Sequence, residues 1–145
     1  MTTRIFKGFT LIELLIVIAI LGLLSVLGIG NFHTALIKAR DTTRKSDLST
    51  IAKSLEAYMN DHREYPPSAT LVWGLPFTDP NGTIYTAKLP IDPGSFSYKY
   101  VKSGATYTLY AHLENTEDPK IFFPATNGCG GTEPSCNYKI TSSNL

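Results

Sequence analysis

Lys7-Gly8-Phe9-Thr10-Leu11-Ile12-Glu13 runs straight into Leu14-Leu15-Ile16-Val17-Ile18-Ala19-Ile20, an abrupt passage from mixed to almost wholly apolar sequence. Across residues 9–29 only Thr10, Glu13 and Ser25 are clearly polar, and Glu13 alone is charged. As a helix, a stretch of that length is about enough to cross the ~30 Å hydrocarbon core of a bilayer. An acid near its start is chemically odd. A central Asp, Lys or Arg costs roughly 2.5–3.5 kcal/mol on insertion scales, and Glu13, nearer one end, costs less. In one reading Glu13 snorkels to the headgroups. In the other it meets a specific cation when such helices assemble.

Two ordinary export signals compete for the same residues. Arg4 and Lys7 make a positive n-region, but the apolar stretch exceeds the usual 7–15 residues of a secretory signal peptide and carries an acid. A cut after a small residue such as Gly28 or Gly30 is that alternative, and an uncleaved signal-anchor is the other. In both, Arg4 and Lys7 hold the N-terminus in the cytoplasm, so everything after Gly30 lies outside it.

Gly8-Phe9-Thr10-Leu11-Ile12-Glu13 resembles the site cut and N-methylated by prepilin peptidases in bacterial type IV pilins and type II secretion pseudopilins. The resemblance implies that residues 1–8 are a leader removed after Gly8. It implies that Phe9 becomes the methylated N-terminus, and that its ammonium pairs with Glu13 of a neighbouring subunit. Gly8 suits a scissile position, because a residue without a side chain lets a peptidase approach the backbone closely.

With the membrane segment subtracted, the 145 residues leave one small extracytoplasmic domain. The formal charge is +1, and removing Arg4 and Lys7 leaves 11 basic against 12 acidic residues, or −1. That balance gives no net attraction for nucleic acid, which stays open as a partner without a feature that points to it. Cys129 and Cys136, with six residues between them, read as a disulfide outside the cytoplasm. Closing so short a loop contributes about 2.5 kcal/mol on the chain-entropy estimate. Zinc is the alternative, but two Cys without a nearby His fall short of four ligands. No metal or cofactor is expected.

The helix is expected to continue past the membrane segment (9–30) into an amphipathic half (31–65). Leu48, Ile51, Ala52, Leu55, Tyr58 and Met59 fall at i, i+3, i+4, i+7, i+10 and i+11, one apolar stripe with Lys53, Glu56 and Asn60 off it. Pro66 and Pro67 bar continuation, which ends the helix near Arg63. At 1.5 Å per residue it would be about 80 Å long, so its first half should protrude from the domain. Between Ile37 and Asp47 nearly every residue is polar, read as a solvated face with pairs such as Asp41 with Arg44 and Lys45. Contacts to neighbouring subunits are the alternative use of these charges. Gly28 and Gly30 each cost roughly 1 kcal/mol relative to Ala, making their segment the weak point of the helix. Many pilins carry Pro where this chain has Gly30, so local melting rather than a fixed kink is implied. Close helix packing through Gly-x-Gly is the other reading.

Residues 66–95 read as an ordered connecting loop, with turns at Asp79-Pro80-Asn81-Gly82 and Asp92-Pro93-Gly94 and packing by Trp73, Leu75, Phe77 and Leu89. Residues 96–145 should form a small antiparallel sheet and a cystine loop. Strands are expected at 96–102 and 106–113, the second alternating Tyr107, Leu109, Ala111 and Leu113 with polar neighbours, joined by a hairpin through Gly104. A third strand is expected at 120–123 or 137–141. The fold class is α+β, a long protruding helix whose second half packs on a small sheet, which resembles the type IV pilin plan. Asp92-Pro93-Gly94 before a Tyr-rich strand also resembles pseudopilins, although the acidic calcium loop typical of major pseudopilins is not evident. Glu114, Glu117 and Asp118 read as a solvated turn.

No His-Glu-x-x-His, phosphate-binding glycine loop or nucleophile elbow appears, and His33, His62 and His112 are scattered. No catalytic residue is assigned. Three function classes remain: the structural subunit of a type IV pilus-like filament, a pseudopilin for secretion or DNA uptake, and a monomeric membrane-anchored binding or enzymatic domain. The leader with Glu13 favours the first two, and the modest head with its cystine favours the pilus. Its partners are then copies of itself, a prepilin peptidase, an inner-membrane assembly platform and, before assembly, membrane lipid. The chain is expected in the cytoplasmic membrane with its head outside, then in a cell-surface filament.

Overall fold

Thr10 and Arg63 bracket the one long helix of the computed structural model, α1 (Leu11–His62). Residues 8–131 and 135–142 are described here, without the side chains of 26–31. At its C-terminal end the Arg63 amide donates to the Met59 carbonyl at 2.8 Å, and Arg63 turns to φ 61°, the left-handed conformation that commonly ends helices. Pro66 and Pro67 then prevent resumption. The chain divides into two units, Met1–Leu36 and Ile37–Leu145.

In the second unit the helical stripe is the floor of the core. Leu48, Ile51, Ala52 and Leu55 are buried together with Tyr98, Tyr100, Tyr107, Leu109, Ala111 and Leu113, and Tyr58 and Met59 pack at the margin. Over them lies an antiparallel sheet of order β3-β4-β5: β3 (Lys99–Ser103), β4 (Thr106–Ala111) and β5 (Tyr138–Thr141). The β3–β4 hairpin turns at Gly104 as expected, and the third strand is the later of the two alternatives.

Both expected strands are trimmed by competing partners. The Ser97 amide goes to the Cys129 carbonyl, and Phe96 stacks on His112 at 3.8 Å, so residues 96–98 face the cystine loop instead of the ladder. Past Ala111, the Asn137 side chain accepts from the Leu113 amide at 2.6 Å and donates to the Leu113 carbonyl at 2.8 Å, replacing ladder bonds. Residues 120–123 form no strand; the Ile121 amide closes a turn on the Asp118 carbonyl.

The connecting loop holds a second sheet that sequence reading did not anticipate, β1 (Phe77–Thr78) with β2 (Ile84–Thr86). Asp79 organises its turn: Oδ1 accepts from the Asn81 and Thr83 amides at 2.9 and 2.8 Å, and Gly82 takes φ 88°. Phe77 and Leu89 are buried and Trp73 packs edge-on to Tyr98, whereas Leu75 is exposed, contrary to its expected packing role. Two tyrosine hydroxyls tie loop and sheet to the helix region. Tyr98 donates to Asp47 at 2.6 Å, and Tyr100 donates to the Pro66 carbonyl at 2.8 Å.

The polar middle of the helix departs most from expectation. Arg44 is 0% exposed. Its guanidinium grips Asp92 with two bonds of 2.7 and 3.0 Å, reaches Asp41 at 2.8 Å and Glu114 at 2.7 Å, and lies over the Phe96 ring. Asp41 in turn accepts from the Glu114 and Asn115 amides. The pair Asp41–Arg44 therefore forms, but as a buried clamp and not a solvated face. Lys45 pairs with Asp118 instead of Asp41. Of the supposed solvated turn only Glu117 is exposed; Glu114 binds Arg40 and Arg44. A buried charge requires such pairing, since its desolvation costs several kcal/mol. Burial alone would lower the Arg44 pKa, but the bonds to Asp92, Glu114 and Asp41 outweigh it and raise it. The Arg40 hydrogen bond, against opposing desolvation and with help from Arg44, holds Glu114 down at about 2. Gly94 completes the clamp: a Cβ there would stand 3.0 Å from Arg44 Nη2.

Candidate assembly site

Thr10 and Glu13 close a reciprocal bonding unit at the start of α1. The Thr10 amide and hydroxyl donate to Glu13 Oε2 at 3.0 and 2.9 Å, and the Glu13 amide donates to Thr10 Oγ1 at 3.3 Å. This is a capping box, in which two amide donors without helical partners are satisfied by two side chains. The signal was present as Thr-x-x-Glu ahead of an apolar run, and the sequence reading, occupied with the acid's membrane cost, missed it. These local bonds use only Oε2. They do not involve the Phe9 amide, so a cut between Gly8 and Phe9 leaves the box intact.

Around and after the box the surface is apolar and uncovered. Phe9 is 83% exposed, and Leu11, Ile12, Leu14, Leu15, Ile16, Leu21 and Leu24 are all exposed. Ser25 returns its hydroxyl to the Leu21 carbonyl at 2.7 Å, so it adds no free polar group to that surface. A Cβ at Gly8 would meet nothing within 4 Å, so packing does not require glycine there. Among the described residues no helix is long and apolar enough to cross a membrane; the 9–29 run passes through positions 26–31, whose side chains lie outside the description. The α1 helix takes in positions 28 and 30, with nothing further described of Gly28 and Gly30. Leader residues 1–7 also lie outside the described residues.

At the other end of the chain, Cys129 and Cys136 are joined in a disulfide with Cα atoms 5.2 Å apart. Thr126 and Cys136 exchange two backbone bonds beside it. The histidines stay apart from this pair in function: His33 is exposed, His62 stacks on Tyr58 and meets Asp79 at 3.2 Å, and His112 stacks on Phe96. Among the described residues no group of three or more His, Cys, Asp or Glu could hold a metal ion.

Residues 3–29 match the family described as the prokaryotic N-terminal methylation motif. Over 137 residues the chain is 42% identical to the type IV wide pilus major component PilA4 of Thermus thermophilus, covering 94% of this chain and 92% of that protein. The chain belongs to the type IV pilin and pseudopilin family. Within that family it is also 34% identical over 106 residues to type II secretion system core protein G of Pseudomonas aeruginosa, 68% of this chain and 75% of that protein. A fimbrial protein of Pseudomonas aeruginosa is 36% identical over 64 residues, 44% of this chain and 42% of that protein. No solved structure matches. The long N-terminal helix with small antiparallel sheets agrees with the pilin fold.

Proposed function

We propose that this chain is the structural subunit of a type IV pilus-like filament, assembled from the membrane through its N-terminal helix. The observation that carries the reading is the uncovered apolar surface that starts at Phe9 and holds one acid, Glu13. In water such a surface is a liability, and lipid or identical helices would each cover it. Similarity along nearly the whole chain to a pilus component supports the pilus. The relatives named core protein G favour a second reading, a pseudopilin of a secretion or DNA-uptake system. A monomeric anchored domain would leave Glu13 without a partner.

In this reading a prepilin peptidase cuts after Gly8 and methylates Phe9, and an inner-membrane assembly platform takes up the membrane-held subunit. The chain catalyses no reaction itself. The Phe9 ammonium of one subunit meets Glu13 of another, while Oε2 of that acid stays in the capping box. In the filament, the segment holding Gly28 and Gly30 is the first to unwind, because both glycines weaken the helix. A filament reconstruction with unbroken helical bonding through 28–30 would contradict that point. Mass spectrometry of the N-terminal peptide from sheared surface material tests the reading as a whole. The expected peptide begins at methylated Phe9; one beginning at Met1, or after Gly28 or Gly30, contradicts it.

A further inference from the structure

The outward side of the three-stranded sheet carries a line of side chains that neither the core nor the filament reading uses. Tyr110 on β4 stands at its centre, with Lys99 opposite on β3 and Lys139 opposite on β5. Directly opposed residues share a face and lie about 5 Å apart, so the three make one row across the strands. Lys99 Nζ sits 5.7 Å from the Tyr110 ring centroid, and Lys139 Nζ sits 5.0 Å from that of Phe122. The two rings are 6.3 Å apart and tilted by 57°. Phe123, beside them in sequence, is 82% exposed. β3, β4 and β5 carry Lys99, Lys102 and Lys139 and no acid at all. The near-neutral total therefore hides a locally basic face, and local charge is what acts within a Debye length of about 8 Å.

Half-exposed aromatic faces next to ammonium groups match one polymer on both counts. Unpaired bases stack on rings whatever their sequence, and the backbone between them carries one negative charge per nucleotide. An acidic polysaccharide or an anionic membrane would use the lysines and leave the rings idle. A duplex keeps its bases stacked on each other. We propose that this face binds single-stranded nucleic acid, with Tyr110 and Phe122 stacking on bases and Lys99 and Lys139 pairing with phosphates. Lys99 is held for this by its bond to the Asn127 carbonyl at 2.6 Å. The site rests on the sheet alone, so it stands or falls independently of the pilus reading.

The test is fluorescence anisotropy of a labelled dT12 strand with the full chain in nonionic detergent, from about 50 to 200 mM salt. Saturable binding is expected, with log K falling against log salt at a slope of about −1.4, or 0.7 for each of two phosphates. Lys139→Gln, on an exposed position, should bring the slope to about −0.7. Tyr110→Ala should weaken binding about tenfold and leave the slope unchanged. Unfolding midpoints matching the wild type keep the variants comparable. Absence of saturable binding, or wild-type affinity in both variants, overturns the proposal. So does displacement of dT12 by a sulfated polysaccharide or phosphatidylglycerol vesicles whose own binding depends on Lys139 but ignores Tyr110.

Discussion

Arg44 shows how one side chain can hold a small head together. Its partners come from its own helix turn, the Asp92 loop and the segment after β4, so removing it strands Asp41, Asp92 and Glu114 at once. Arg44→Met should destabilise the head by about 3–5 kcal/mol in denaturant unfolding of the full chain, the scale for breaking a buried pair from one side. A loss under about 1 kcal/mol would mean that the clamp is incidental. Acid should release it more gently. Glu114 is lowered from 4.5 to about 2, so its contribution is fully present above about 4.5 and disappears as pH falls towards 2. Glu114→Gln should flatten part of that acid slope, leaving what Asp118 and Asp79, also lowered, contribute. The sequence pairs Asp41 with Arg44 through their spacing, but not Arg44 with Asp92, 48 residues away. Local charge patterns reveal neighbours on a helix and are silent on which face a later loop will bury.

At the scale of elements, periodicity was the dependable guide. The stripe Leu48, Ile51, Ala52 and Leu55 repeats often enough for its face to be assigned, and all four residues are buried. Leu55→Ala should cost about 2–5 kcal/mol, since the cavity opens under the sheet where neighbours are fixed. β1 and β2, two and three residues long, are too short to show alternation, and Asp79 bonding makes their turn. Strand ends were misjudged where Asn137 and the cystine loop compete for ladder groups, a tertiary effect absent from any local pattern. Reduction of Cys129–Cys136 should lower head stability by about 2.5 kcal/mol, measured as the difference between oxidised and reduced unfolding curves. Equal curves would place the loop's stability in its backbone bonds to Thr126 and Ser97 instead.

The whole molecule is defined by the contrast between a head that buries its polar network and a helix start that leaves its apolar side chains uncovered. That contrast was legible in residues 7–29 and in the stripe; the double duty of Glu13 was not, because its charge drew the reading away from the Thr-x-x-Glu spacing. The two duties can be separated. Gln also serves in a capping box, so Glu13→Gln keeps the cap with Thr10 and removes only the charge that a neighbour's Phe9 ammonium would need. Glu13→Ala removes both. The decisive measurement is filament yield, by shearing and electron microscopy, from cells making Glu13→Gln, with processing after Gly8 and protease resistance of the head confirmed. Few or no filaments, as for Glu13→Ala, is the predicted result. Wild-type filament yield from Glu13→Gln would show that Glu13 only caps the helix, and the charge-pairing account of assembly would be wrong.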